Sequence, residues 1–367
     1  MGEYMKNPLS DTLYHSRLRP RKPDIRGDYF RDQTAIIHST PFRRLKHKTQ
    51  VFFSPQNDHI CTRIEHVLHV STIATTICKG LGLDVELAQA IALGHDLGHA
   101  PFGHIGEKIL NSLNKEAGFI HETHSLRVVD RITNKGNGLN LTYAVRDGIV
   151  SHCGESFSQS IQPQASEKDL SAIMHRQKAP VTYEGCVVRV SDKIAYLGRD
   201  IEDAVTAGLI AIRDIPAGIR KNLGTTNGEI IDSLVHDVVE ASENSDAIKF
   251  SSEKFEIICQ LKDFNYSNIY NHELLLQSDI AISNLIEQLF NHLAALMLKY
   301  GFSTSAYAGS RYTVDRHFGK FISSRRHLYN HCDNHLQSVT DFVAGMTDSY
   351  ALESAREVVF PQPLGIL

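Results

Sequence analysis

GHDLGHAPFGHIGE, residues 94–107, sets three imidazoles (His95, His99, His104) and two carboxylates (Asp96, Glu107) within one short stretch. Imidazole and carboxylate are the usual ligands of a hydrolytic divalent metal. His95 and Asp96 stand at the end of a helix expected through Leu87, Ile91 and Leu93, where Gly94 and Gly98 let the backbone turn. Pro101 and Gly103 break the chain, and a new helix is expected near His104. On that helix His104 and Glu107 are three apart and share a face. A carboxylate beside an imidazole favours imidazolium, the form a general acid requires. The same spacing also describes an ordinary surface ion pair.

Upstream, Ile60, Ile64, Val67, Leu68, Ala74, Ile77, Cys78 and Leu81 mark one apolar stripe at helical spacing. Gly80 and Gly82 offer its stop, and Asp84 is a candidate N-cap for the next helix. Antiparallel packing of these two helices would bring His66 to His95 and Asp96. A fourth ligand must come from farther away. Asp192, in VVRVSDKIAYLGRDIEDA (187–204), is flanked by apolar residues and needs a partner if buried. A metal is one such partner and an arginine is the other. Asp192, Tyr196 and Asp200 step by four along a helical stripe with Lys193 beside it. Lysine can take the charge of a phosphate chain. Tyr196 suits packing on a sugar, donation to a phosphate, or a place in the core. HETH at 121–124 looks like a zinc-protease signature, but its histidines are three apart where that chemistry needs four.

Further helices are expected at about 122–133, 142–152, 184–207, 228–242 and 272–299, and strands should be few. Residues 1–33 are polar and basic and are expected to wrap the surface; 153–182 and 301–316 read as loops. The basic run from Arg316 to His327 suits a solvated face, a phosphate or a neighbouring subunit. With 42% hydrophobic and 22% charged residues the chain can bury a sizeable core, and a net charge of −4 gives no bulk attraction to nucleic acid. The six cysteines form no Cys-x-x-Cys pair and read as reduced thiols. No apolar run approaches the roughly 20 residues that span a bilayer. MGEYMKNPLSD lacks an apolar signal core, so a cytoplasmic location with no membrane partner is expected.

The order His66, His95-Asp96, Asp192 resembles the H…HD…D signature of HD-domain phosphohydrolases. FRRLKHKTQVF (42–52), TRIEHVLHV (62–70), FIHETHSLRVV (119–129), LTYAVRDGIVSH (141–152) and LKDFNYSNIYNHE (261–273) narrow the resemblance to the deoxyguanosine triphosphate triphosphohydrolase family over roughly residues 26–300. That resemblance implies an all-α HD-domain fold with additional C-terminal helices. It implies an N-terminal extension (1–33), an HD-type core (34–300) and a C-terminal helical or oligomerisation segment (301–367). By the same resemblance, His66, His95, Asp96 and Asp192 hold one divalent metal (Mn²⁺, Mg²⁺ or Fe²⁺). His104 is catalytic and oriented by Glu107, and His99 and His121 line the phosphate pocket. Arg63, Lys193, Tyr196 and Lys262 hold the triphosphate, Gln50 contacts the sugar 3′-hydroxyl, and Asp200 and Tyr270 sit near sugar and base. Val51, in the apolar TQVFF stretch, is placed to crowd C2′. The implied reaction converts a deoxynucleoside triphosphate to deoxynucleoside and inorganic triphosphate. The implied partners are that substrate, further copies of the chain (dimer, tetramer or hexamer) and a nucleotide or single-stranded DNA effector. The alternatives are another HD-type reaction such as a 5′-monophosphatase, and a non-catalytic nucleotide sensor or single-strand binder.

Overall fold

The computed structural model describes residues 5–53, 59–153, 157–177, 179–329 and 335–360. Among them the chain is all-α apart from a two-residue antiparallel ladder, Ser160–Ile161 against Ile248–Lys249. The helix that carries His66 spans Arg63–Leu81. Thr62 opens it with a capping box, its backbone N–H donating to Glu65 Oε2 at 2.7 Å, and Gly82 closes it at φ 70°. Asp84 then caps Val85–Gly94 by accepting from the Glu86 and Leu87 amides. That second helix is buried along nearly its whole length. It lies among Asp28–Ile37, Arg63–Leu81, Tyr143–Ser151 and Tyr183–Thr206. The approach is too close for a side chain at Gly94, where a Cβ would come within 2.7 Å of Ile149.

Tyr143–Ser151, Tyr183–Thr206, Asn227–Ser242 and Glu273–Tyr300 form where the apolar periodicity expects them. The expected 122–133 helix runs as His121–Arg127 and then loosens into a π-helical turn, Val128–Ile132. Ser252–Asn265 is a helix that the apolar pattern does not announce. It buries only Ile258, Leu261 and Asn265, a stripe too thin to read by period. The described part of the 1–33 segment, from residue 5 on, does more than wrap the surface. Arg17 Nη1 reaches Asp32 Oδ1 at 2.5 Å, and buried Asp32 accepts the Thr142 amide at 2.8 Å, which staples the N-terminal segment to the core. The 301–316 stretch is also partly helical, with Thr304–Ala308 inside it and Thr313–Ser324 starting within it. There buried Tyr307 donates to Gly301 O at 2.7 Å. Within the basic run, Phe318 and Ile322 face inward and Lys320 faces solvent.

Two apolar clusters result. One runs from Tyr14 to Ile269 around Val85–Gly94 and Tyr183–Thr206. The other packs Glu273–Tyr300, Thr313–Ser324, Leu336–Ala344 and Asp348–Val359 against Phe102, Ile109, Leu110 and Phe119. No helix among the described residues is long and apolar enough to cross a membrane. Cys61, Cys78, Cys153, Cys186 and Cys259 are free thiols, and Cys332 lies outside the described residues.

Lys48 ties the two halves. Buried to 3% exposure, its ammonium donates to His99 O and, at 2.8 Å, to Ala344 O. Burial pushes its pKa down to about 7. The unfolded chain therefore holds this proton more tightly, and the resulting penalty on the fold, full below pH 7, is relieved as pH rises toward the ordinary lysine value. Lys48→Met strands two buried carbonyls, at about 1–3 kcal/mol each. Urea unfolding should find the variant less stable, with the wild-type advantage growing between pH 7 and 9.5. A pH-independent advantage would contradict the depressed pKa.

Candidate active site

Three helices converge on one buried cluster. His66 comes from Arg63–Leu81, His95 and Asp96 follow Val85–Gly94, and Asp192 comes from the middle of Tyr183–Thr206. His66 Nε2 is 2.9 Å from Asp192 Oδ1, and His95 Nε2 is 3.8 Å from Asp192 Oδ1 and 3.7 Å from Asp96 Oδ2. His95 Nδ1 donates to Ala92 O at 2.7 Å, so the proton sits on Nδ1. Its Nε2 has no hydrogen-bond partner. Burial pushes the His95 pKa down to about 4, so the ring stays neutral. A lone pair facing two carboxylates is unfavourable unless a cation lies between them. The donor set of imidazoles and carboxylates thus fits a divalent metal, and His66, His95 and Asp96 have donor atoms close enough together to share one. The arginine alternative for Asp192 is not what the fold adopts. Arg63, 2% exposed, instead bonds Asp96 Oδ2 at 2.5 Å.

A histidine array borders this cluster. Glu107 Oε2 is 2.9 Å from His121 Nδ1 and 3.5 Å from His104 Nδ1, so Glu107 serves His121 more closely than His104. His104 is 76% exposed and stands at the mouth, its ring 5.3 Å from that of buried His99. Burial opposes a charge on His121, but Glu107 and Glu122 beside it raise its pKa to about 9. Three residues of this array were not singled out in the sequence. His152 Nε2 lies 3.3 Å from His121 Nε2, Glu122 lies against His121, and Arg176 bonds Glu122 at 2.8 Å. His152 ends the wholly buried helix of LTYAVRDGIVSH, which was a readable signal. Arg176 lies in the Ser- and Gln-rich stretch and had none. His124, the other half of HETH, points away and bonds Gly98 O at 2.8 Å.

The remaining candidates fall into two groups. Lys193 and Lys262 both lie over the Phe157 ring, at 4.6 and 5.5 Å. Burial lowers the Lys193 pKa to about 8. Tyr270 donates to buried Asp200, whose pKa burial raises to about 7, and half-buried Tyr196 stands between Asp192 and Asp200 on their stripe. On the other side, the carbonyl of Gln50 accepts from Arg63 Nη2 at 3.2 Å, while its side-chain Oε1 is buried with no partner. Val51 is half-buried against the first apolar cluster.

Residues 63–197 match the HD domain and residues 248–357 the phosphohydrolase-associated domain. A deoxyguanosinetriphosphate triphosphohydrolase-like protein of Caldanaerobacter subterraneus subsp. tengcongensis is 38% identical over 97% of this chain and 93% of its own. The chain belongs to the deoxyguanosinetriphosphate triphosphohydrolase-like family. Members so named from Desulfatibacillum aliphaticivorans and Clostridium tetani are each 36% identical, over 95% and 94% of this chain and 92% and 89% of theirs. As a family member the chain is an HD-type phosphohydrolase, and HD domains bind divalent metals. The HD match opens on Arg63 and ends just past Tyr196, so it takes in the buried His–Asp cluster and the histidine array.

Proposed function

We propose that this chain hydrolyses deoxynucleoside triphosphates to deoxynucleoside and inorganic triphosphate. The observation that carries the reading is the buried, unpartnered Nε2 of His95 facing Asp96 and Asp192, beside the array of His99, His104, His121 and Glu107. His66, His95, Asp96 and Asp192 would hold the divalent metal, as Mn²⁺, Mg²⁺ or Fe²⁺. When bound it polarises a phosphate oxygen and acidifies water.

The protein's own groups do the rest. Arg63, Lys193 and Lys262, with the Tyr196 hydroxyl, offset and orient the triphosphate charge, and buried His99 lines the phosphate pocket. Water attacks the α-phosphorus, the bond from phosphorus to the 5′-oxygen breaks, and His104 gives that oxygen a proton. Glu107 holds both His104 and His121 in orientation. The acid of Asp200 and the hydroxyl of Tyr270 bound the sugar and base end. Purified protein incubated with each of the four dNTPs and Mn²⁺ should release inorganic triphosphate. Orthophosphate from a deoxynucleoside monophosphate would indicate the monophosphatase reading instead. Binding without turnover would indicate a sensor.

Sugar selectivity follows from the Gln50 segment. If the free amide oxygen of Gln50 accepts from the 3′-hydroxyl, removing that hydroxyl strands it, at about 1–3 kcal/mol in transition-state binding. Val51 excludes ribonucleotides by contact at C2′. In kcat/KM measurements, wild type should rank dNTP above dideoxynucleotide and ribonucleotide. Gln50→Ala should erase the first preference and Val51→Gly should relax the second. An equal penalty of Gln50→Ala on dNTP and dideoxynucleotide would remove Gln50 from that role.

A further inference from the structure

The C-terminal helices reach the edge of the site through the side chain of Asp348. Asp348 opens the helix Asp348–Val359 and is 4% exposed. Its two carboxylate oxygens accept backbone amides from two distant segments, Oδ2 from Thr49 at 2.7 Å and Oδ1 from Phe102 at 2.9 Å. Both segments line the candidate active site. Thr49 precedes Gln50, and the carbonyls of both accept from the Arg63 guanidinium, which in turn bonds Asp96. Phe102 ends the turn that begins at His99 and is held at φ 60°, ψ 29°, a left-handed conformation that costs a non-glycine residue on the order of 1 kcal/mol or more. Its side chain makes no cap hydrogen bond to the helix Gly103–Leu113 that follows. Gly103 follows, so close to Gln50 that a Cβ there would lie 3.2 Å from the Gln50 carbonyl. Lys48 adds a second tie between the His99 carbonyl and Ala344, and Arg44 adds a third to Gly345 at 2.7 Å.

We propose that Asp348 is a positioning residue that completes the nucleotide pocket from outside the HD domain, holding the Gln50 wall and the His99–Phe102 turn in register against Arg63. The inference rests on the proposed hydrolase reading for its kinetic consequence only. A carboxylate that accepts from two backbone amides at once has no replacement. Asparagine supplies one acceptor and sets an N–H against the second amide, and alanine supplies none. The C-terminal helical packing thereby governs the sugar end of the pocket, while the metal donors, none of which Asp348 touches, stay in place.

Two measurements on the full chain test this, with Asp348→Asn and Asp348→Ala beside wild type and Gln50→Ala. The first is amide hydrogen exchange, which needs no assumption about substrate. Segments 48–53 and 99–104 should exchange at least about tenfold faster in both variants, while the Arg63–Leu81 helix keeps its protection. The second is kinetics. KM for dNTP should rise about tenfold or more, the preference for dNTP over dideoxynucleotide should fall toward that of Gln50→Ala, and manganese content should be unchanged, with Asp348→Asn intermediate. Unchanged exchange in both segments overturns the proposal. So does a folded variant with lowered melting temperature but wild-type KM and wild-type discrimination, since that is the mark of a purely structural tie. Absence of triphosphate release by wild type would fail the hydrolase reading instead and leave the exchange result to decide the positioning role.

Discussion

Asp192→Ala is expected to abolish triphosphate release, by at least about 10³-fold, and to strip most of the bound metal. Asp192 Oδ1 is the closest partner of His66 Nε2 and faces His95 Nε2 as well, so it joins the two imidazoles across a site that is otherwise closed. Its side chain is 15% exposed, against 4% or less for His66, His95 and Asp96. Removing it deletes a charge from the proposed donor set, leaves His66 without its carboxylate partner and leaves His95 facing Asp96 alone. His95→Ala should act alike. Metal analysis of the purified variants beside kcat decides the matter. Full occupancy in Asp192→Ala would take Asp192 out of the ligand set.

His104→Ala is expected to lower kcat by about 10² or more while metal content and melting temperature stay near wild type, as for loss of a general acid. Its exposure makes the test clean. A side chain 76% open to solvent supports little of the fold, so the variant isolates chemistry from stability. Glu107 sits closer to His121 than to His104, which sets the alternative. An unchanged kcat would move the proton to His121, already held by that carboxylate, and His121→Gln would then carry the loss.

Legibility in the sequence followed the range of the interaction. Gly82 ends a helix in the left-handed region and Asp84 caps the next, as their positions suggest, because a helix terminus is decided within one turn of chain. The pairing of His104 with Glu107 is equally local. The 24-residue helix that carries Asp192, Tyr196 and Asp200 on one stripe was readable for the same reason. Ser252–Asn265 escaped because so few of its residues are buried, and the docking of the N-terminal segment at Arg17 and Asp32 escaped because Asp32 is polar and buries by pairing with Arg17.

The sequence alone thus determined that the chain is helical, where the long helices carrying His66, Asp192 and the 272–299 stretch lie, and which imidazoles and carboxylates stand together on a turn or a face. The tertiary structure decided the partners. It gave Arg63 to Asp96 and His66 to Asp192, set His152 and Arg176 beside the His121–Glu107 pair, and brought Asp348 onto Thr49 and Phe102 across 299 and 246 residues. Helical spacing fixes neighbours three and four apart. It is silent on which helix lies against which, and that choice is made by burying apolar faces whose pairings no local pattern encodes.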